Sequence, residues 1–196
     1  YRPRETYFST RGQPDEVLRH LEVELQTLDG QSWQLPRDAA GRWTVILFAA
    51  PWAKDGAPAP MRTLNSLIEY SDNRPGEDMQ VILAVLSDNI DEVRALIGEK
   101  TTEFQTVWVP GGVENPLVQQ LGILSEDQNF NQVLLQPDGR IVATVSGLMR
   151  NNRGSKVIPN VIEQHDEKAI SELIAQGKLE AARERILALA PPFDPD

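Results

Sequence analysis

The chain has 196 residues, with 19 basic and 29 acidic side chains and a formal net charge of −10. This length suits one globular domain with a short appendage, and the acidic balance argues against a nucleic-acid backbone or an anionic membrane surface as the main partner. No cysteine is present, which excludes disulfides, cysteine-ligated zinc, iron–sulfur clusters and every reaction that needs a thiolate.

Membrane insertion by this segment is not expected, because no apolar run approaches the roughly 20 residues that span a bilayer. The chain begins at Tyr1 without a signal-like segment, so we expect it to be a processed or trimmed piece of a longer polypeptide. Residues 1–13 are polar and lack periodicity, and 15–21 have the pattern of a short helical turn; together they predict an N-terminal extension over 1–22. After them, Asp29-Gly30 lies between two half-apolar runs and predicts a β-hairpin.

Strand and helix patterns alternate over the next hundred residues. The apolar runs at 43–50, 81–86 and 104–109 predict buried strands, and residues 37–42 predict a polar connection into the first of them. Helical spacing predicts helices at 60–70, 90–97 and 116–121, with Ser87-Asp88-Asn89 as N-cap residues of the second. The turn Pro137-Asp138-Gly139-Arg140 then separates strands at 133–135 and 141–145. Together these patterns predict an α/β domain over 23–148, with a mixed sheet flanked by helices.

The C-terminal part, 149–196, is predicted to be a linker followed by a helical hairpin. Residues 149–156 are polar and basic and predict a loop. Two helical runs, 167–176 and 179–190, are separated at Gly177 and predict an αα-hairpin. This pair has a weak similarity to half of a tetratricopeptide repeat, although one unit does not make an array.

Several motifs in the predicted domain point to a known family when they are taken in order. They are Leu28-Asp29-Gly30, the residues 41–43, the apolar run 45–49, Trp52, and the Pro-Asp-Gly turn with its following strand at 137–142. Over roughly 23–148, this order resembles the thioredoxin-like domain of the bacterial cell-envelope thiol-disulfide oxidoreductases and their peroxiredoxin-like AhpC/TSA relatives. The resemblance implies a thioredoxin-like fold and an extracytoplasmic location, either periplasmic or secreted.

The chain departs from that family at both parts of the catalytic apparatus. In the family, the tryptophan is followed by C-x-x-C, and the two cysteine positions match Ala53 and Gly56 here. The family also has a cis-proline facing that motif, at a position near Phe130, where this chain has no proline. The resemblance therefore implies a redox-inactive domain with a degenerate C-x-x-C. We expect no thiol-disulfide oxidoreductase or cysteine peroxidase activity, no catalytic residue and no cofactor.

The function predicted from these observations is protein or peptide binding, or structural support, within a larger protein. The expected partner is another protein or another domain of the parent polypeptide, because the exposed groove and sheet edge of such folds bind extended chains through backbone hydrogen bonds. The candidate groove contacts are Trp52, Asp55 and Phe130. The remaining tryptophans are predicted to pack in the core or the hairpin: Trp33, Trp43 and Trp108.

Two alternatives come from other classes of protein. One is an enzyme in which Asp55, Glu126 or Asp127 supplies a non-thiol acid or base in the former active-site cleft. The other is an acidic, cation-binding thioredoxin-like domain. No metal site is predicted, because His20 and His165, the two histidines of the chain, are expected at the surface or at helix ends.

Overall fold

The computed structural model describes residues 22–49, 58–73, 79–97, 105–121, 130–146 and 153–189. Within these ranges the chain forms strands β1 (Val23–Thr27), β2 (Ser32–Leu35), β3 (Trp43–Ala49), β4 (Met79–Leu86), β5 (Gln105–Val109), β6 (Phe130–Leu135) and β7 (Ile141–Ser146). The helices are α1 (Pro58–Asp72), α2 (Ile90–Ile97), α3 (Pro116–Gln120), α4 (Arg153–Ala175) and α5 (Leu179–Leu189). The β-hairpin predicted at Asp29-Gly30, the strand pair predicted on either side of 137–140 and the predicted alternation of strands and helices are confirmed. The division into 1–22, 23–148 and 149–196 stays a prediction.

All seven strands form one mixed sheet in the order β2-β1-β5-β4-β3-β6-β7. The central strands β3, β4 and β5 are parallel, and β6 and β1 flank them in antiparallel orientation. Helices α1 and α2 connect the parallel strands, as parallel neighbours require a crossover connection. The predicted α/β class with a mixed sheet is therefore confirmed.

The core has two layers, one on each face of the sheet, and β3 lies between them with every residue buried. Successive side chains of a strand point to opposite faces, so alternate residues of β3 enter different layers. Val45 and Leu47 belong to the layer shared with α1, α2 and α4, whereas Ile46 and Phe48 belong to the layer that contains α3 and the β1–β2 hairpin. This double coverage explains the continuous apolar run that predicted the strand.

Helix α4 begins earlier than the sequence pattern predicts. Residues 153–156, assigned to the polar loop, form its first turn, and the helix continues past Pro159 to Ala175. Ile158 and Ile162 are fully buried in the layer that α4 shares with α1. Burial of these two side chains stabilises a helix that proline at this position disfavours. The boundary predicted for this helix was therefore wrong.

The connection between β2 and β3 is held from two sides. Asp38 accepts a 2.6 Å hydrogen bond from the backbone N–H of Gln34 in β2, and its carboxylate is paired with the guanidinium of Arg37. On the other side, the backbone N–H of Gly41 donates to the carbonyl of Pro137 in the β6–β7 turn. The two β-hairpins are thus joined through a connection that sequence analysis assigned only as a polar link.

Candidate binding edge of the sheet

The candidate site lies where the central parallel strands end. The carboxyl ends of β3, β4 and β5 meet at one edge, and β6 begins at the same edge because Ala49 and Phe130 are Cα partners. We call this the carboxyl edge. Residues 50–57 leave β3 there and residues 122–129 enter β6 there, so the chain segments that carry the predicted site residues attach to neighbouring strand ends.

The predicted site residues themselves lie outside the described residues, with one partial exception. Ala53, Gly56, Trp52 and Asp55 belong to the segment 50–57, which is not described. For Phe130 the described part is the backbone, which forms the first residue of β6. Two further candidates from the alternative hypotheses, Glu126 and Asp127, are also outside the described ranges. Their contact with one another therefore stays a prediction.

Gln132 is a buried polar side chain close to this edge. It is fully buried, and neither atom of its amide group has a hydrogen-bond partner in the described part of the chain. Its Cα partner is Leu47, which packs in the layer covered by α1 and α4. Paired residues share a face of the sheet, so Gln132 lies beneath those helices, two residues from the start of β6. Sequence analysis did not select Gln132. The signal was its position two residues before Leu134, which puts both side chains on the same face of a buried strand.

Hydrogen bonds join the chain at the carboxyl ends of β4 and β5. The indole N–H of Trp108 donates to the carbonyl of Ser87 at 2.6 Å, and the Ser87 backbone N–H donates to the carbonyl of Val109. The predicted cap of α2 is confirmed, because the side chain of Asn89 accepts from the backbone N–H of Asp91 at 2.9 Å. These polar groups are therefore paired with one another within the fold.

Trp33 and Trp43 are buried as predicted, and His165 is not where it was expected. It lies in the middle of α4, half-buried, with its ring edge-on to Trp43 at a centroid distance of 5.1 Å and an interplanar angle of 84°. The expectation of a surface or helix-end position was wrong for this histidine, because α4 packs along the sheet over Trp43. His20 lies outside the described residues.

Four groups with shifted pKa values lie on the β1–β2 hairpin and its connection: Glu24, Asp29, Arg37 and Asp38. The pKa of Asp38 is lowered first by the hydrogen bond from Arg37 and then by the bond from the backbone of Gln34. The pKa of Glu24 is lowered chiefly by the hydroxyl of Ser32. These carboxylates are hydrogen-bonded to neighbours in the fold, which accounts for their shifts without a catalytic role.

The described ranges offer no group of three or more histidine and acidic side chains that could hold a metal ion. None of the helices in the described part of the chain is long and apolar enough to cross a membrane. Neither finding concerns the segments 50–57 and 122–129, where the alternative hypotheses place their acidic residues.

The fold matches solved structures of thiol-disulfide oxidoreductase domains. The C-terminal domain of a thiol-disulfide oxidoreductase of Bacteroides thetaiotaomicron matches with a TM-score of 0.57 at 18% identity, covering 78% of this chain and 99% of that domain. An exposed lipoprotein thioredoxin of Streptococcus pneumoniae matches with a TM-score of 0.54 at 19% identity, covering 74% of this chain and 99% of that one.

A secreted disulfide oxidoreductase of Mycobacterium tuberculosis matches with a TM-score of 0.52 at 14% identity, covering 76% of this chain and 98% of that one. No protein-family model matches the sequence, and neither does any curated protein. The fold is therefore thioredoxin-like, as the resemblance implied. Unlike a thiol-disulfide oxidoreductase, this chain has no cysteine with which to perform the exchange reaction.

Proposed function

We propose that this chain is a redox-inactive thioredoxin-like module that binds an extended segment of another protein, or of another domain of its parent polypeptide, at the carboxyl edge. One observation carries the proposal. The β3–β6 pairing at the edge persists to its last pair, Ala49 and Phe130, while the sequence contains no thiol. A framework that holds the edge together without its nucleophile is suited to binding rather than to thiol exchange.

Chemical recognition at this edge would come from backbone groups and a few apolar contacts. An extended peptide is bound by main-chain hydrogen bonds, and pockets for its side chains provide selectivity. In the proposal, Trp52 and Phe130 supply apolar contacts and Asp55 supplies a carboxylate. The net charge of −10 favours a neutral or basic segment over an acidic one, because like charges raise the cost of association.

The proposed location is extracytoplasmic. Two of the structural neighbours are described as a secreted enzyme and an exposed lipoprotein, and the resemblance in the sequence points the same way. A structural-support role remains compatible with this location, with the bound segment then supplied by the parent polypeptide itself. Both versions of the proposal use the same edge and differ in where the bound segment comes from.

The test compares two double variants on peptide binding. An array of unstructured peptides is screened with the wild-type protein, and the best binder is titrated in solution by fluorescence anisotropy. Trp52→Ala/Phe130→Ala is expected to weaken binding at least about tenfold, since truncating a large apolar side chain in a buried interface costs about 1 kcal/mol or more. The control, Leu179→Ala/Leu187→Ala, removes two apolar side chains from α5 and is expected to leave the affinity unchanged.

Three results would contradict the proposal: wild-type protein that binds no peptide, equal affinity for the wild type and the edge variant, or loss of binding in the α5 control alone. The last result would move the binding site to the C-terminal helices. Circular dichroism of both variants ensures that a loss of affinity is not a loss of fold.

A further inference from the structure

Strand β2 is the outermost strand on one side of the sheet. It pairs with β1 and, within the described residues, with no other strand, so one row of its backbone groups points away from the sheet. Such a row is a template on which another chain can add a strand through main-chain hydrogen bonds, and proteins that stay monomeric protect it. The groups that occupy this row therefore decide whether this side of the sheet is open to a partner.

The pairing register shows which groups of β2 point outward. The backbone N–H of Thr27 donates to the carbonyl of Gln31, so these two residues form a hydrogen-bonded pair. Hydrogen-bonded and non-hydrogen-bonded pairs alternate along two antiparallel strands, which makes the pairs that contain Ser32 and Gln34 non-hydrogen-bonded. The N–H and C=O groups of Ser32 and Gln34 therefore point away from β1. We call these four groups the outer row of β2.

Asp38 already binds one donor of the outer row. The N–H of Gln34 donates to Oδ2 of Asp38 at 2.6 Å. The carboxylate is oriented by Arg37, whose Nε and Nη2 each lie 2.9 Å from one of its oxygens. Both residues belong to the short turn Arg37–Ala39, and Ala39 is fully buried in the layer that contains the β1–β2 hairpin. The core thus fixes this carboxylate against the outer side of β2.

An approaching strand would have to displace the carboxylate. If two copies of β2 paired in antiparallel orientation about Trp33, Ser32 of one copy would exchange hydrogen bonds with Gln34 of the other, because the outward groups must face each other. Half of these hydrogen bonds need the N–H of Gln34, which is bonded to Asp38 in each copy. A hydrogen bond to a charged acceptor is stronger than the neutral main-chain bond that would replace it, so the exchange is unfavourable.

We propose that the Asp38 carboxylate blocks the addition of a strand at the outer row of β2 and so prevents this chain from pairing with a second copy of itself there. The inference does not depend on the proposed function, because no strand end of the carboxyl edge takes part in the contact. Removing the block would leave peptide affinity at the carboxyl edge unchanged, and a failure of peptide binding would leave the block unaffected.

Sedimentation velocity over about 1 to 200 µM protein tests the proposal, because weak protein association has dissociation constants in this range. The wild type is expected to stay monomeric. Asp38→Ala frees the N–H of Gln34 and is expected to dimerise with a dissociation constant at least about tenfold below that of the wild type. The matched control, Asp88→Ala, removes the same charge at an exposed position before α2 and is expected to stay monomeric.

Amide hydrogen exchange measures the block directly. In Asp38→Ala at a concentration where it is monomeric, the amide of Gln34 is expected to exchange at least about tenfold faster than in the wild type. The amide of Trp33 points toward β1 and is expected to exchange at an unchanged rate, which shows that the hairpin itself remains folded.

A proline substitution distinguishes strand addition from association of unfolded chains. Asp38→Ala/Gln34→Pro has no outward N–H at this position, and proline is tolerated in an edge strand where its nitrogen faces outward. This double variant is expected to be monomeric again, whereas association through unfolding would persist or increase. The proposal is overturned if Asp38→Ala stays monomeric to the highest concentration, if Asp88→Ala or the double variant associates as strongly as Asp38→Ala, or if the Gln34 amide exchanges at the wild-type rate in Asp38→Ala.

Discussion

Replacing Gln132 by leucine should stabilise the protein, although it removes a polar side chain near the candidate site. The amide is fully buried and has no hydrogen-bond partner within the described ranges. Burying an unpaired amide costs about 1–3 kcal/mol by protein mutational data, whereas leucine has a similar volume and suits an apolar layer. After a repacking cost that is usually below about 1.5 kcal/mol, we expect Gln132→Leu to raise the free energy of unfolding by about 1–2 kcal/mol.

Urea denaturation followed by circular dichroism measures this difference, with the m-value as a check that the unfolding transition is unchanged. The matched control is Gln26→Leu, the same substitution at an exposed position of β1, where a change within about 0.5 kcal/mol is expected. A loss of stability of more than about 1 kcal/mol in Gln132→Leu would refute the reasoning. It would show that the amide has a partner in solution, either a bound water or a group from the segments beside the edge.

Three further substitutions test the packing around the sheet. Gly139→Ala is expected to lower the free energy of unfolding, measured by thermal unfolding, by about 2–4 kcal/mol, because the φ of Gly139 is +83° and a Cβ there would lie 2.6 Å from the Cβ of Pro36. Gly30 has a similar φ of +85° but no neighbour within 4 Å, so Gly30→Ala should cost about 1 kcal/mol. Equal losses in the two variants would contradict the role of the close contact. The pKa of Asp38 is lowered in the fold, so its stabilising contribution is present above the unfolded pKa of about 3.9 and is lost as the pH falls through the folded value. Asp38→Asn should therefore lower the free energy of unfolding at pH 7 and flatten its fall below pH 4. An unchanged dependence of stability on pH would be evidence against the pairing of Asp38 with Arg37 and Gln34. Arg185→Met removes a guanidinium that bonds the buried carboxylate of Asp166 at 2.7 Å. It should lower the free energy of unfolding by about 2–3 kcal/mol, near the lower end for a broken buried pair, because the arginine is partly exposed. Asp166→Leu/Arg185→Met should recover most of that loss, and a double variant as unstable as Arg185→Met would contradict the reasoning.

Local patterns predicted the framework of the fold because each depends on neighbours in sequence. Asp29-Gly30 gave the first hairpin its turn, and Asn89 capped α2 as its position before an apolar stripe indicated. The continuous apolar run of β3 predicted a strand covered on both faces. In each case, the physical cause lies within a few residues of the pattern, so no knowledge of distant contacts was needed.

The differences arose where distant contacts decide the structure. Polar and basic residues predicted a loop over 149–156, yet α4 begins at Arg153 because Ile158 and Ile162 are buried against the sheet. His165 packs on Trp43, which is far away in sequence and adjacent in space. The unpaired amide of Gln132 becomes visible only when the layer above β6 is known. The candidate site was located through its strand ends, whereas its side chains remain predictions.

Helix α4 has a mechanical consequence for the position of α5. Its first half is anchored on the sheet by Ile158 and Ile162, and its second half holds α5 through the Asp166–Arg185 bond. A continuous helix of 23 residues is about 34 Å long at 1.5 Å per residue. Because the same continuous helix contacts both the sheet and α5, α5 cannot move independently of the sheet as it would on a flexible linker. The contacts of α4 with the sheet and with α5 therefore hold α5 at a fixed position relative to the sheet.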